Sequence, residues 1–111
     1  MEAITKEQII KRERENNGTK VHLYYNEVLG LYLGFGLSAY FTTMLLDPMA
    51  SYSDTMEMPV VILKKNDILQ LRQSMKIIEH KPHEYYLLQT RNKIGNKWYN
   101  TWTEALKQHI G

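Results

Sequence analysis

Residues 28 to 46 read Val28-Leu29-Gly30-Leu31-Tyr32-Leu33-Gly34-Phe35-Gly36-Leu37-Ser38-Ala39-Tyr40-Phe41-Thr42-Thr43-Met44-Leu45-Leu46 and contain no charged side chain. A stretch of this length either crosses a bilayer or is buried in a protein core. Gly30 and Gly34 have the spacing of small residues in transmembrane helix dimers, and basic residues precede them as a positive-inside orientation requires. Against a span stand Gly30, Gly34 and Gly36, which weaken a helix, and Tyr32, Ser38, Tyr40, Thr42 and Thr43, which dilute the apolarity. A strand over roughly 30 to 35 followed by a buried helix from Gly36 explains the segment without a membrane. Leu37, Tyr40, Phe41, Met44 and Leu45 carry the helical spacing, and Asp47-Pro48 ends it.

Working outward, Thr5 and Gln8 form a capping-box pattern that opens a helix over 5 to 17, with Ile4, Ile9 and Ile10 as its sparse apolar stripe. Asn16-Asn17-Gly18 stops it. Val21, Leu23 and Tyr25 alternate with His22 and Tyr24, which predicts a strand that turns at Asn26-Glu27 and pairs with the strand at 30 to 35. Residues 48 to 58, rich in Ser, Met and Asp, read as a loop. Pro59-Val60-Val61-Ile62-Leu63 reads as a central strand.

Asn66 or Asp67 then caps a helix whose inner face is Ile68, Leu69, Leu71, Met75 and Ile78, ended by Lys81-Pro82. Residues 84 to 90 and 97 to 100 read as strands joined by a Gly95-Asn96 turn, and Thr101 with Glu104 frames a last helix ending near Ile110. The fold expectation is one α/β domain over residues 1 to 111, a mixed β-sheet flanked by about four helices.

The chain has no cysteine, so disulfides and thiolate zinc sites are excluded. No secretory signal opens it, because Glu2, Lys6 and Glu7 interrupt any early apolar run, and the cytoplasm is the default setting. Net charge is only +2, but its distribution is uneven. Residues 21 to 58 hold acids and no Lys or Arg. Residues 59 to 99 hold Lys64, Lys65, Arg72, Lys76, Lys81, Arg91, Lys93 and Lys97 against Asp67, Glu79 and Glu84. Such a half can face nucleic acid or an acidic partner, or simply be a solvated face.

Leu31-Tyr32-Leu33-Gly34-Phe35-Gly36-Leu37-Ser38-Ala39 resembles the N-terminal mismatch-recognition domain of the MutS mismatch-repair family. That domain reads Gly-Asp-Phe-Tyr-Glu-Met-Phe between an apolar strand and an apolar helix. Tyr32, Phe35 and Ala39 fall on matching positions, and the order of elements over about 5 to 90 agrees. The resemblance implies a MutS N-terminal-domain-like fold. It also marks departures: the family's Phe-x-Glu pair, which stacks on a mispaired base and accepts a hydrogen bond from it, is here Leu31 and Leu33, and Ser38 replaces an acid. Leucine can wedge between base steps but cannot stack or accept a hydrogen bond. The family's ATPase portion has no counterpart, so the resemblance implies at most DNA or protein binding.

Other chemistry is sparse. Glu79, His80, His83 and Glu84 supply donors for a borderline metal site, but Pro82 breaks the helical spacing of the familiar zinc motifs, and a solvated connection explains them as well. His22 reads as a strand surface residue and His109 as a helix C-terminal residue. The glycines match no dinucleotide or phosphate loop, and no nucleophile lies beside an evident base. The expectation is a non-enzymatic binding module with no cofactor and no metal.

The strongest binding candidate is the run from Arg91 to Trp102. Arg91, Lys93 and Lys97, with Lys64 and Lys65 upstream, can contact phosphates, and Trp98 or Tyr99 can stack on an unpaired base. One of Trp98 and Tyr99 faces outward, and the other, with Trp102, packs the last helix on the sheet. The same surface could bind an acidic protein. Abundant tyrosine and methionine would also suit a protein partner or a homodimer.

Overall fold

The computed structural model describes residues 5–81, 84–91 and 93–108. Ile4, Pro82, His83, Asn92, His109 and Ile110 lie outside them, so the readings of the 79 to 84 donors and of His109 fall partly or wholly beyond the described residues.

Helix α1 (Lys6–Arg14) opens on the anticipated box: the Gln8 N–H donates to Thr5 Oγ1 at 3.2 Å and the Thr5 N–H to Gln8 Oε1 at 2.9 Å. Strand β1 (Lys20–Asn26) turns through residues 27 to 30 into β2 (Leu31–Phe35). Gly36 then bends the chain straight into α2 (Gly36–Thr43) with φ of +58°, a conformation that an L side chain resists. The apolar run is therefore split between a turn, a strand and an eight-residue helix. No helix among the described residues is long and apolar enough to cross a membrane.

Next come β3 (Met49–Ser53), β4 (Met58–Leu63), α3 (Lys65–Leu71), β5 (Met75–Lys81), β6 (Tyr85–Thr90) and α4 (Tyr99–Gln108). The six strands form one sheet in the order β3-β4-β2-β1-β6-β5. Every neighbouring pair is antiparallel, so the sheet is not mixed as expected. The reason is topological. Each of the connections through α2 and α3 joins strands that run the same way, but hairpin partners separate them, and no parallel pair becomes adjacent.

Four further expectations give way. Residues 48 to 58 are not all loop, since Met49–Ser53 pairs with β4 in unbroken register from Met49↔Ile62 to Ser53↔Met58. The helix anticipated over 66 to 78 stops at Leu71, and Met75 and Ile78 belong to β5. Its N-cap is Lys64, not Asn66 or Asp67; Asp67 is the third helical residue, and its carboxylate accepts from the Lys64 N–H at 2.8 Å. Residues 97 to 100 do not form a strand: the chain from Lys93 to Asn96 is irregular, and α4 begins at Tyr99.

The sheet buries both faces unequally. On one, Val21, Leu23, Val61 and Leu88 pack against Phe41 of α2 and Ile68 and Leu71 of α3, with Trp102 of α4 over the margin. On the other, Ile9 of α1 covers Tyr24, Phe35 and Tyr85. Full burial of a side chain such as Phe41, at 0% exposure, is worth on the order of 1.5–3 kcal/mol. Three helices against one decide where the free surface lies: at the sheet's ends and around α1.

Candidate nucleic-acid interface

The antiparallel sheet sorts the basic residues by strand direction. Lys64 and Lys65 follow the end of β4, where Leu63 is paired with Tyr32. Arg91 follows the end of β6, where Thr90 is paired with Met75. Because β4 and β6 run in opposite directions, Lys64 and Lys65 lie at one end of the sheet and Arg91, Lys93 and Lys97 at the other. Acids stand at both ends: Asp67, Glu27 and Glu84 at the first, and Asp54 and Glu57 of the turn between β3 and β4 at the second, where Arg14, Lys20, Arg91, Lys93 and Lys97 outnumber them.

The second end is built on residues 16 to 18. Asn16 donates through Nδ2 to the Lys20 carbonyl at 2.8 Å and accepts through Oδ1 from the Gly18 N–H at 3.0 Å, which fixes the loop after α1. The Gly18 carbonyl then accepts from the Ile94 N–H at 2.8 Å, pinning residues 93 to 96 alongside. Gly18 has φ of +93°, and a Cβ there would sit 2.5 Å from the Ile94 carbonyl oxygen, so only glycine allows this contact. Arg14 ends α1 on the same side and shares a cleft with Asn96.

Within this frame Trp98 and Tyr99 part company. Trp98 is 60% exposed, and the Lys97 ammonium lies 5.2 Å from its ring centroid. Tyr99 turns inward against Tyr40 and Trp102, with ring centroids 5.8 Å and 6.3 Å away, and burial raises its hydroxyl pKa. The outward–inward split follows the first turn of α4, whose hydrogen bonds run from the Tyr99 N–H to the Asn96 carbonyl and from the Trp102 N–H to the Trp98 carbonyl. The ion pairs among the described residues are Lys11–Glu15 and Lys107–Glu104, so Arg91, Lys93 and Lys97 carry exposed charges that no acid in those residues pairs.

Beside the basic end a cleft of about 550 Å³ opens between α1, the start of α2, the turn before β4 and the start of α4. Glu13 stands in its wall at 5% exposure. Its Oε1 accepts from the Ser38 N–H at 2.8 Å and from Asn16 Nδ2 at 3.5 Å, and its Oε2 from the Ser38 hydroxyl at 2.6 Å. The carboxylate thus caps the N-terminus of α2 from another helix. Burial pushes it up to about 7, while the bonds from Ser38 and Asn16 and the nearby Arg12 pull down. With both oxygens accepting from these donors, Glu13 holds α1 to α2.

His22 was expected at the surface and is instead buried under α1, its Nδ1 2.6 Å from the Tyr85 hydroxyl. Burial first, then Arg12 and Lys20, lowers its pKa to about 4, so the ring is neutral near pH 7. Glu13 and the cleft have no sequence signature, because Glu13 and Ser38 are 25 residues apart and neither stands in a motif. His80 stacks on Tyr86 at 4.0 Å and 8° between ring planes. No group of three His, Asp or Glu side chains among the described residues could hold a metal ion. The chain matches no family model, no curated protein and no solved structure.

Proposed function

We propose that the chain is a non-catalytic binding module whose ligand is nucleic acid, held at the end of the sheet that carries Arg91, Lys93 and Lys97. The observation that supports this reading is Trp98: a large aromatic side chain, mostly exposed, under the Lys97 ammonium and among cations that no acid of the described residues pairs. An exposed ring costs solvation unless something stacks on it, and unpaired cations attract phosphate. Lys64 and Lys65 are left out, because they lie at the far end. A cytoplasmic setting belongs to this reading.

The MutS-like fold is part of the same proposal and rests on the sequence resemblance at Leu31 to Ala39. Leu31 and Leu33 are half-buried on one face of β2, the face shared with Tyr24 through the pair Tyr24↔Leu33. They offer an apolar surface where the family has a ring and a carboxylate.

The test is filter binding across a salt series. Replacing Arg91, Lys93 and Lys97 together with Glu should abolish most binding and flatten the dependence of log K on log salt by roughly one unit per lost contact. Absence of binding to single- and double-stranded DNA and RNA at low salt would end this reading.

A protein partner or second copy is then the alternative, favoured by the edge strand β3. Its five residues carry no charge and no bulge, whereas the β5 edge has Lys76, Glu79 and Lys81 and a register break between Ile77 and Glu79.

A further inference from the structure

The cleft beside the basic end is larger than the nucleic-acid reading requires for phosphate contacts alone. At about 550 Å³ it falls in the range of roughly 300–1,000 Å³ typical of small-molecule sites. Its walls suit a flat aromatic guest. The cleft is lined by Met56 and Met58, of which Met56 is largely buried, by the aliphatic Ile10 and Leu37, and by Tyr99. Two polar side chains in the lining, the Asn96 amide and the Glu57 carboxylate, make no hydrogen bond to the described residues, so each is available to a ligand edge. Glu13 is not available, because Ser38 and Asn16 occupy both its oxygens.

Position ties this space to the cations. Arg14 lines the cleft itself, and Asn96 also lines the adjoining 150 Å³ hollow that contains Lys93. Lys97 is the next residue. A phosphate inside the cleft would meet two acids, Glu57 and Glu13, against Arg14 alone, whereas a phosphate at its rim would meet Lys93 and Lys97 beside Arg14. Charge therefore orients a nucleotide one way: backbone outside, base inside.

Resting on the nucleic-acid reading, we propose that the cleft takes an unpaired nucleobase of a single strand whose phosphates lie over Arg14, Lys93 and Lys97. The base inserts between the methionines and Tyr99, and its polar edge meets Asn96 and Glu57. A base inside a duplex cannot enter the cleft without leaving its stack, so single strands bind in preference to duplexes.

The experiment is competition fluorescence anisotropy with the whole chain at one salt concentration. A labelled single-stranded oligodeoxycytidine is displaced by the same unlabelled strand, by a strand of equal length made of abasic residues, or by the corresponding duplex. The ordinary strand should compete at least about tenfold better than the abasic one, the scale of one stacked base. Met58→Trp, which fills the cleft, should lower the ordinary strand's affinity to the abasic level. Asn96→Ala, a smaller change at the exposed rim, should weaken the ordinary strand alone and serves if Met58→Trp does not fold. Equal competition by ordinary and abasic strands, or a duplex that matches the single strand, would overturn the inference while leaving phosphate binding intact. No binding by any strand would overturn both.

Discussion

The Ser38 hydroxyl has a single hydrogen. Its oxygen already accepts from the His22 N–H at 2.9 Å, so that hydrogen goes to Glu13, and a chain of bonds runs from β1 through α2 to α1. Glu13 and His22, joined by this chain, titrate in opposite senses. Glu13 is raised to about 7 by burial, so its stabilising term is fully present below its unfolded value of 4.5 and is lost as pH rises through about 7. His22 is lowered to about 4, so its term is present above 6.5 and is lost as pH falls through about 4. Between pH 4.5 and 6.5 the two slopes oppose each other, and the wild-type melting temperature should change little there. Glu13→Gln leaves the histidine slope alone, so its melting temperature should rise with pH across that window, and His22→Gln should show the reverse. Parallel wild-type and Glu13→Gln profiles would refute the assignment. Trp98 and Tyr99 separate in the same manner between ligand and core. Trp98→Ala should cost single-strand binding on the order of 1–3 kcal/mol with little change in the thermal melt, whereas Tyr99→Ala, which removes a core ring that is also a wall of the cleft, should lower the melt and weaken single-strand binding together. Sequence alone called for one outward and one inward ring here, but not which, because the choice is made by the first turn of α4 and not by a strand.

At the scale of elements, the run from 28 to 46 was legible because its glycines and hydroxyls deny a spanning helix, and strand β2 and the start of α2 fall where the spacing puts them, but α2 ends at Thr43, short of Asp47-Pro48, and leaves Met44 and Leu45 exposed. Within α2 the stripe is uneven: Phe41 is fully buried, whereas Leu37 is half-exposed toward the cleft. Phe41→Asp should therefore unfold the protein by placing an unpaired charge in the core, and Leu37→Asp should leave a folded chain with a reduced melting temperature. Circular dichroism melts decide this, and an equal loss for both would mean that α2 is buried differently. Over residues 66 to 78 two periods compete. Ile68, Leu71, Met75 and Ile78 fit a helical period, but Met75 and Ile77 alternating with Lys76 fit a strand equally well. Pairing with β6 and the β-branched Ile77-Ile78 settle the matter for a strand. Strand β3 was hidden because Met-Ala-Ser-Tyr-Ser has little intrinsic strand preference, and only its register against β4 makes it one.

For the whole molecule, a charge sum along the chain joined residues that the sheet holds apart. Lys64 and Lys65 share the basic half of the sequence with Arg91, Lys93 and Lys97 but stand at the opposite end of an antiparallel sheet, and this follows from strand direction, which no local pattern encodes. Replacing Lys64 and Lys65 with Glu should therefore change nucleic-acid affinity far less than replacing Arg91, Lys93 and Lys97, in filter binding at one salt concentration. Equal losses would mean that a ligand wraps both ends. Recognition of mispaired DNA is a separate matter, because Leu31 and Leu33 lie on β2, away from the 91 to 98 segment in sequence and on the face that Tyr24 shares. Neither can stack as a phenyl ring does, and neither can accept a hydrogen bond from a displaced base. A cleft that captures unpaired bases does not repair this deficit, since a mispaired base still sits in its stack and costs energy to extrude. Matched and mismatched duplexes of the same length should accordingly compete equally for the protein, both weaker than a single strand. A clear preference for the mismatch would show that the apolar pair on β2 does wedge into DNA, and would move the binding surface from the end of the sheet to its α1 face.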